Sequence, residues 1–149
     1  MQSKATETSS NPACSDQLPQ ILRKFEFQLR VRYRETDAQG RVHHSNYLNY
    51  FEIARVEMLR ASGRNYKDLE SAGIFLVVTK ASCDYHRAAA YDDLLTIKAR
   101  VTHAKKVRVT HEYEIRVGDE LVATGSTCVA AMTAEGKATR LPEWLRLDG

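Results

Sequence analysis

Asp37 stands three residues before Gly40 and seven before His44, in the stretch Tyr33-Arg34-Glu35-Thr36-Asp37-Ala38-Gln39-Gly40-Arg41-Val42-His43-His44-Ser45-Asn46-Tyr47. These residue types at this spacing suit acyl transfer. A carboxylate can attack an acyl carbon directly or draw a proton from water. The first N–H groups of a helix have no partner within it and lie at the positive end of its dipole, so they can receive an oxygen that becomes anionic during reaction. Gly40 lets the backbone turn sharply and come close to a ligand. The same spacing also suits an Asp that merely holds a turn or caps a helix.

The elements on either side must position this turn. Before it, Phe25-Glu26-Phe27-Gln28-Leu29-Arg30-Val31-Arg32-Tyr33 alternates apolar and polar residues, the mark of a strand buried on one face. After it, the spacing predicts a helix over Asn46 to Ala61. Tyr47, Phe51, Ala54, Met58 and Ala61 form one stripe, and Leu48, Ile53, Val56 and Leu59 spread apolar surface around the rest. Glu52 with Arg55 and Glu57 with Arg60 have the spacing of surface ion pairs. Ser62-Gly63 ends the helix.

A short helix is expected from Asn65 to Ala72, then a strand from Ile74 to Tyr85. Leu95 to Val101 and Val107 to Val117 alternate with period two, and Gly118-Asp119 closes a hairpin into Glu120 to Thr133. This last run carries small residues on both faces, as close packing of a second sheet, a second subunit or a crowded core would require. One buried helix and an antiparallel sheet define an α+β domain.

Length and composition narrow the function classes. With 149 residues, 43% of them hydrophobic, the chain suits one domain with a real core. Residues 1–20, rich in Ser, Thr, Asn, Pro and Gln, read as a disordered tail, leaving 21–149 as the domain. A net charge of +3 without a clustered basic face argues against nucleic acid as a partner. The longest aliphatic and aromatic run, Ile74 to Val78, is far too short to span a bilayer. Cys14, Cys83 and Cys128 have no metal-ligand spacing; neither a metal site nor a disulfide framework is expected, and a reduced cytoplasmic setting fits.

The combination Tyr-x-x-Thr-Asp-x-x-Gly-x-Val-x-His-x-x-Tyr, from Tyr33 to Tyr47, resembles the hotdog-fold acyl-CoA thioesterases of the 4-hydroxybenzoyl-CoA thioesterase-like family. The likeness extends to Ala54-Arg55-Val56-Glu57-Met58-Leu59 and to Tyr85–Asp93, and is greatest for the bacterial branch associated with the Tol-Pal system. It implies a five-stranded antiparallel sheet wrapped around a long central helix. It also places the catalytic carboxylate on Asp37, the oxyanion-binding amide on His44, and a Tyr near the reacting centre at Tyr33. Gly40, Val42 and Tyr47 fall on substrate-binding positions. Lys105, Lys106 and Arg108, in the turn His103 to Arg108, fall where related enzymes meet the coenzyme A phosphates, with Arg87 a further candidate. Relatives of that branch often carry a Pro where this chain reads His86-Arg87-Ala88-Ala89-Ala90.

The activity this resemblance implies is hydrolysis of an acyl-CoA or aroyl-CoA thioester. Asp37 would act as nucleophile or general base, with proximity to the helix dipole keeping it ionised, and the His44 imidazole could help to position or deprotonate water. No cofactor is expected, since coenzyme A is part of the substrate. A homodimer or homotetramer is implied, because such sites straddle two subunits. Three other readings remain open at this level: a non-catalytic acyl- or partner-binding protein, an acyl-carrier-protein thioesterase, and a hydratase or dehydratase of acyl chains.

Overall fold

A computed structural model describes residues 21–147; the tail expected over residues 1–20 lies outside the described residues. Strand β1 (Lys24–Arg30) leads through a single 3-10 turn (Tyr33–Glu35) and the Asp37 loop into helix α1 (Asn46–Ala61). A short helix α2 (Tyr66–Ser71) follows. Then come strands β2 (Phe75–Tyr85), β3 (Leu94–Lys105), β4 (Arg108–Val117) and β5 (Glu120–Met132). All pairings are antiparallel in one sheet of order β1-β3-β4-β5-β2.

The alternation read from the sequence is the sheet's two faces. Leu95, Ile97, Ala99 and Val101 of β3 are buried, as are Val109, Tyr113 and Ile115 of β4. Helix α1 covers that face with Tyr47, Tyr50, Phe51, Ala54, Met58 and Leu59, all buried. Phe51 lies parallel to the Tyr113 ring, centroids 4.3 Å apart. Beneath it is Gly125 of β5, where a Cβ would stand 2.5 Å from the Phe51 ring and 2.5 Å from the Ser82 carbonyl oxygen. At this position the small residue in β5 answers to a crowded core within the chain.

Three local expectations are corrected. Strand β1 stops at Arg30 rather than Tyr33, because the Glu35 carboxylate captures the Arg32 amide at 2.9 Å and folds the next residues into a turn. The turn between β3 and β4 is only Lys106-Val107, with Lys106 at φ +60°, so most of the stretch His103 to Arg108 is strand. Such tight hairpins require left-handed backbone. The Glu52–Arg55 pair does not form. Arg55 is 7% exposed and donates instead to the Tyr113 hydroxyl at 3.3 Å and Thr127 Oγ1 at 3.4 Å. The Glu57–Arg60 pair does form.

Helix α1 ends as read, with Ser62 bonding back to Met58 and Gly63 at φ +86°. Asn65 caps α2 by accepting the Asp68 amide at 2.9 Å. Among the described residues no helix is long and apolar enough to cross a membrane.

Candidate active site

The residues from Glu35 to His43 fold back on themselves. Thr36 bridges Val42, the His43 amide donates to the Glu35 carbonyl at 2.9 Å, and the Asp37 amide donates to the Arg41 carbonyl at 2.7 Å. Gly40, at φ +80°, makes the reversal possible and donates its own amide to the Asp37 carbonyl at 3.0 Å. The loop is tied to the connection between β2 and β3 by a bridge from Arg41 to Ala90 and by the Val42 amide on the Ala89 carbonyl at 2.8 Å.

Within this loop the two oxygens of Asp37 have different duties. Oδ1 accepts the amides of Gln39 at 2.8 Å and Arg41 at 3.2 Å, which fixes the side chain's orientation. Oδ2 has no hydrogen-bond partner among the described residues. The Arg41 and Gln39 amides hold the carboxyl below the usual aspartate range, so it is ionised at neutral pH. The cause is the loop's own backbone, whereas the sequence reading looked to the helix dipole.

His44 precedes α1 in a turn closed by the Asn46 amide on the His43 carbonyl at 2.9 Å. A trans peptide points its C=O and N–H in opposite directions. With the His43 carbonyl committed toward the helix, the His44 N–H faces away from it, and it donates no hydrogen bond among the described residues. The His44 ring stacks on His43 at 4.2 Å, while His43 Nδ1 is engaged by Ser45 Oγ at 2.9 Å.

The other expected site residues divide into three groups. Tyr33 is 77% exposed and meets the Tyr91 ring edge-on at 5.6 Å. Val42 and Tyr47 are buried and brace the loop from inside; Tyr47 packs edge-on against Tyr50 at 5.8 Å and Tyr85 at 5.2 Å. Lys105, Lys106 and Arg108 lie elsewhere. The Asp37 loop adjoins the Leu94 end of β3 and these cations its Lys105 end, roughly 36 Å away along the strand. Arg87 pairs with Glu120 at 3.5 Å on the surface. A concavity of about 850 Å³ on the opposite sheet face, lined by Lys24, Lys98, Arg100, Glu112 and Asp84 among others, contains none of these residues.

Sequence reasoning missed Glu35, Tyr50, Tyr85 and the Ala89-Ala90 support. Glu35 is 6% exposed; it accepts two bonds from the Arg32 guanidinium, at 2.8 and 3.0 Å, and one from the Tyr50 hydroxyl at 2.9 Å. The Arg32-x-x-Glu35 spacing was the one available signal. The partners of Tyr50, Tyr85 and Ala89 are distant in the chain and left none.

A helix packed across one face of a five-stranded antiparallel sheet, preceded by a loop that leaves one Asp37 oxygen unengaged and by a His44 amide that donates no bond among the described residues, has the architecture of a hotdog domain. The model of the thioesterase superfamily matches residues 39–124, and the chain belongs to that family as a hotdog-fold acyl-CoA thioesterase. A relative in Aquifex aeolicus is 36% identical over 119 residues, covering 80% of this chain and 92% of that protein. The acyl-CoA thioesterase YbgC of Haemophilus influenzae is 42% identical over 82 residues, 54% of this chain and 60% of that protein. The crystal structure of a DHNA-CoA thioesterase from Staphylococcus aureus superposes with a TM-score of 0.76 at 32% identity, covering 79% of this chain and 80% of that one.

Proposed function

We propose that this protein hydrolyses an acyl-CoA or aroyl-CoA thioester to the free acid and coenzyme A, with Asp37 as the reacting carboxylate. The division of labour within Asp37 carries this reading: on an ionised carboxylate, one oxygen is spent on holding the loop and the other is unengaged among the described residues. Oδ2 attacks the thioester carbon, the carbonyl oxygen becomes anionic against the His44 N–H, and the C–S bond breaks to release the thiolate. Water then hydrolyses the mixed anhydride. General-base activation of water by Oδ2 uses the same geometry. Thiolate is a good leaving group, so no strong general acid is required. In this reading the exposed Tyr33 lies near the reacting centre, and the His44 imidazole assists the attacking water.

The working unit in this reading is a dimer or a dimer of dimers. Strand β2 is an 11-residue sheet edge with Val77 and Val78 44% and 47% exposed, a surface that invites a second copy. An antiparallel partner across β2 would carry its own Lys105, Lys106 and Arg108 toward this chain's Asp37 end. The coenzyme A phosphates would then meet the partner's cations. A cytoplasmic location and a catalytic domain spanning 21–149 complete the picture. Pantetheine on an acyl-carrier protein would present the same thioester to Asp37, and the likeness to a DHNA-CoA thioesterase makes aromatic acyl groups a first choice for assay.

Thiol release across a panel of acetyl-, hexanoyl-, benzoyl- and 4-hydroxybenzoyl-CoA tests the reading. Free thiol should appear and depend on Asp37. Double-bond absorbance changes without thiol would indicate a hydratase, and binding without either would indicate an acyl-binding protein.

A further inference from the structure

The segment that presents the His44 amide is held from within by Glu35, whose backbone carbonyl accepts the His43 amide at 2.9 Å and the Asn46 side-chain amide at 2.8 Å. It is also held from outside. The hydroxyl of Tyr85, the last residue of β2, donates to the His44 carbonyl at 3.0 Å, across 41 residues of sequence. The other bonds on that peptide come from its own turn: the Tyr47 amide reaches the same carbonyl at 3.4 Å, and the Ser45 amide donates to His43 Nδ1 at 3.2 Å. Tyr85 therefore supplies the one tie between this peptide and the sheet among the described residues.

Its ring is itself aimed. Tyr85 pairs with Ala123 in the sheet, and its ring meets Tyr47 edge-on at 5.2 Å. Tyr47 in turn meets Tyr50, whose hydroxyl ends on the buried Glu35. Both clamps on the His43-His44-Ser45 turn thus lead back to one residue, Glu35, the first through its backbone carbonyl and the second through its buried carboxylate. An exposed turn at a helix start frays readily, and a donor whose direction wanders loses much of its value to a developing oxyanion.

We propose that Tyr85 is a positioning residue for the oxyanion donor: its O–H pins the His44-Ser45 peptide to the end of β2, fixing the torsions of His44 and hence the direction of the His44 N–H. The proposal rests on the assignment of that amide to the reacting oxygen. It gives edge strand β2 a part in catalysis. Any partner that pairs with β2 would bear on the donor through Tyr85.

The test is Tyr85→Phe, which deletes the O–H and keeps the ring on Tyr47, assayed by thiol release with whichever acyl-CoA of the panel the unaltered enzyme turns over fastest. The expected result is a fall in kcat of about tenfold, less than the 10²–10³ that removing an oxyanion donor costs, with KM within about twofold. A kcat equal to that of the unaltered enzyme, or a loss carried by KM alone, overturns the proposal. A second readout needs no substrate: the carbonyl carbon of His44 and the nitrogen of Ser45 share the pinned peptide, and both NMR resonances should move in Tyr85→Phe. If they coincide with those of the unaltered protein, Tyr85 positions nothing. Should Asp37→Asn retain turnover, the catalytic assignment fails by itself, and these resonances still decide whether the clamp exists.

Discussion

Glu35 and His43 are joined backbone to backbone at 2.9 Å, while the Glu35 side chain accepts the Tyr50 hydroxyl of α1, also at 2.9 Å. One residue thus ties the segment entering the Asp37 loop at Arg32, the turn leaving it and the helix beyond. Burial pushes its carboxyl up, but bonds from the Arg32 amide, the Arg32 guanidinium and Tyr50 outweigh this and leave it below the usual glutamate range. Its contribution to stability is therefore present above the unfolded value near 4.5 and is lost as pH falls through the lower folded value. Glu35→Ala should destabilise by about 2 kcal/mol in urea unfolding, because it strands the Tyr50 hydroxyl and part of Arg32. It should also lower kcat without any contact to substrate.

Asp37→Asn should cut thiol release by about 10²–10⁴-fold while leaving the thermal unfolding midpoint nearly unchanged. The Asn carbonyl oxygen can still accept the Gln39 and Arg41 amides, so the loop keeps its anchor and loses only its charge. Because those amides hold the carboxyl below its usual value of 3.8, the unaltered enzyme should show no acid limb from Asp37 between pH 5 and 8. A limb in that window belongs to another group.

His111 is buried under α1, and burial, with the Arg55 charge nearby, pushes its imidazole down to about 3. In the unfolded chain the same group takes up its proton near 6.5. Between these values the unfolded state binds more protons, so this residue's share of stability falls with falling pH, by about 1.4 kcal/mol per unit. His111→Gln should flatten the stability profile between pH 6 and 4 relative to the unaltered protein. Parallel profiles would refute the assignment.

Two glycines should fail for different reasons. Gly125→Ala drives a methyl group into Phe51 and the Ser82 backbone and should destabilise strongly, by about 3 kcal/mol. Gly40→Ala meets nothing within 4 Å. It should cost only about 1 kcal/mol, from its left-handed backbone, yet lower kcat by redirecting Asp37. Calorimetry and steady-state kinetics together separate the two cases.

A site shared between subunits predicts complementation. Asp37→Asn protein co-assembled with Lys105→Glu/Lys106→Glu protein should regain about a quarter of the unaltered activity at subsaturating acyl-CoA, since half of randomly paired dimers then hold one intact composite site. No recovery, with mixed dimers demonstrated, would place the cations outside the site.

The amino-acid sequence by itself determined the elements and their faces. Alternation in Leu95 to Val101 and the apolar stripe Tyr47, Phe51, Ala54 and Met58 are local, and burial of one face follows from them directly. The residue types of the site, Asp37 with Gly40 and the turn before the helix, were legible for the same reason: they lie within a dozen residues of one another. What holds them was not. That Asp37 keeps one oxygen for its own loop, that Glu35 is buried, that Arg55 goes to Tyr113 rather than Glu52, and that Tyr85 reaches the His44 carbonyl all depend on contacts the local pattern does not specify. Tertiary structure decided them, because a hydrogen bond across 41 residues requires the sheet edge and the helix start to be brought together first, and no local periodicity encodes that meeting.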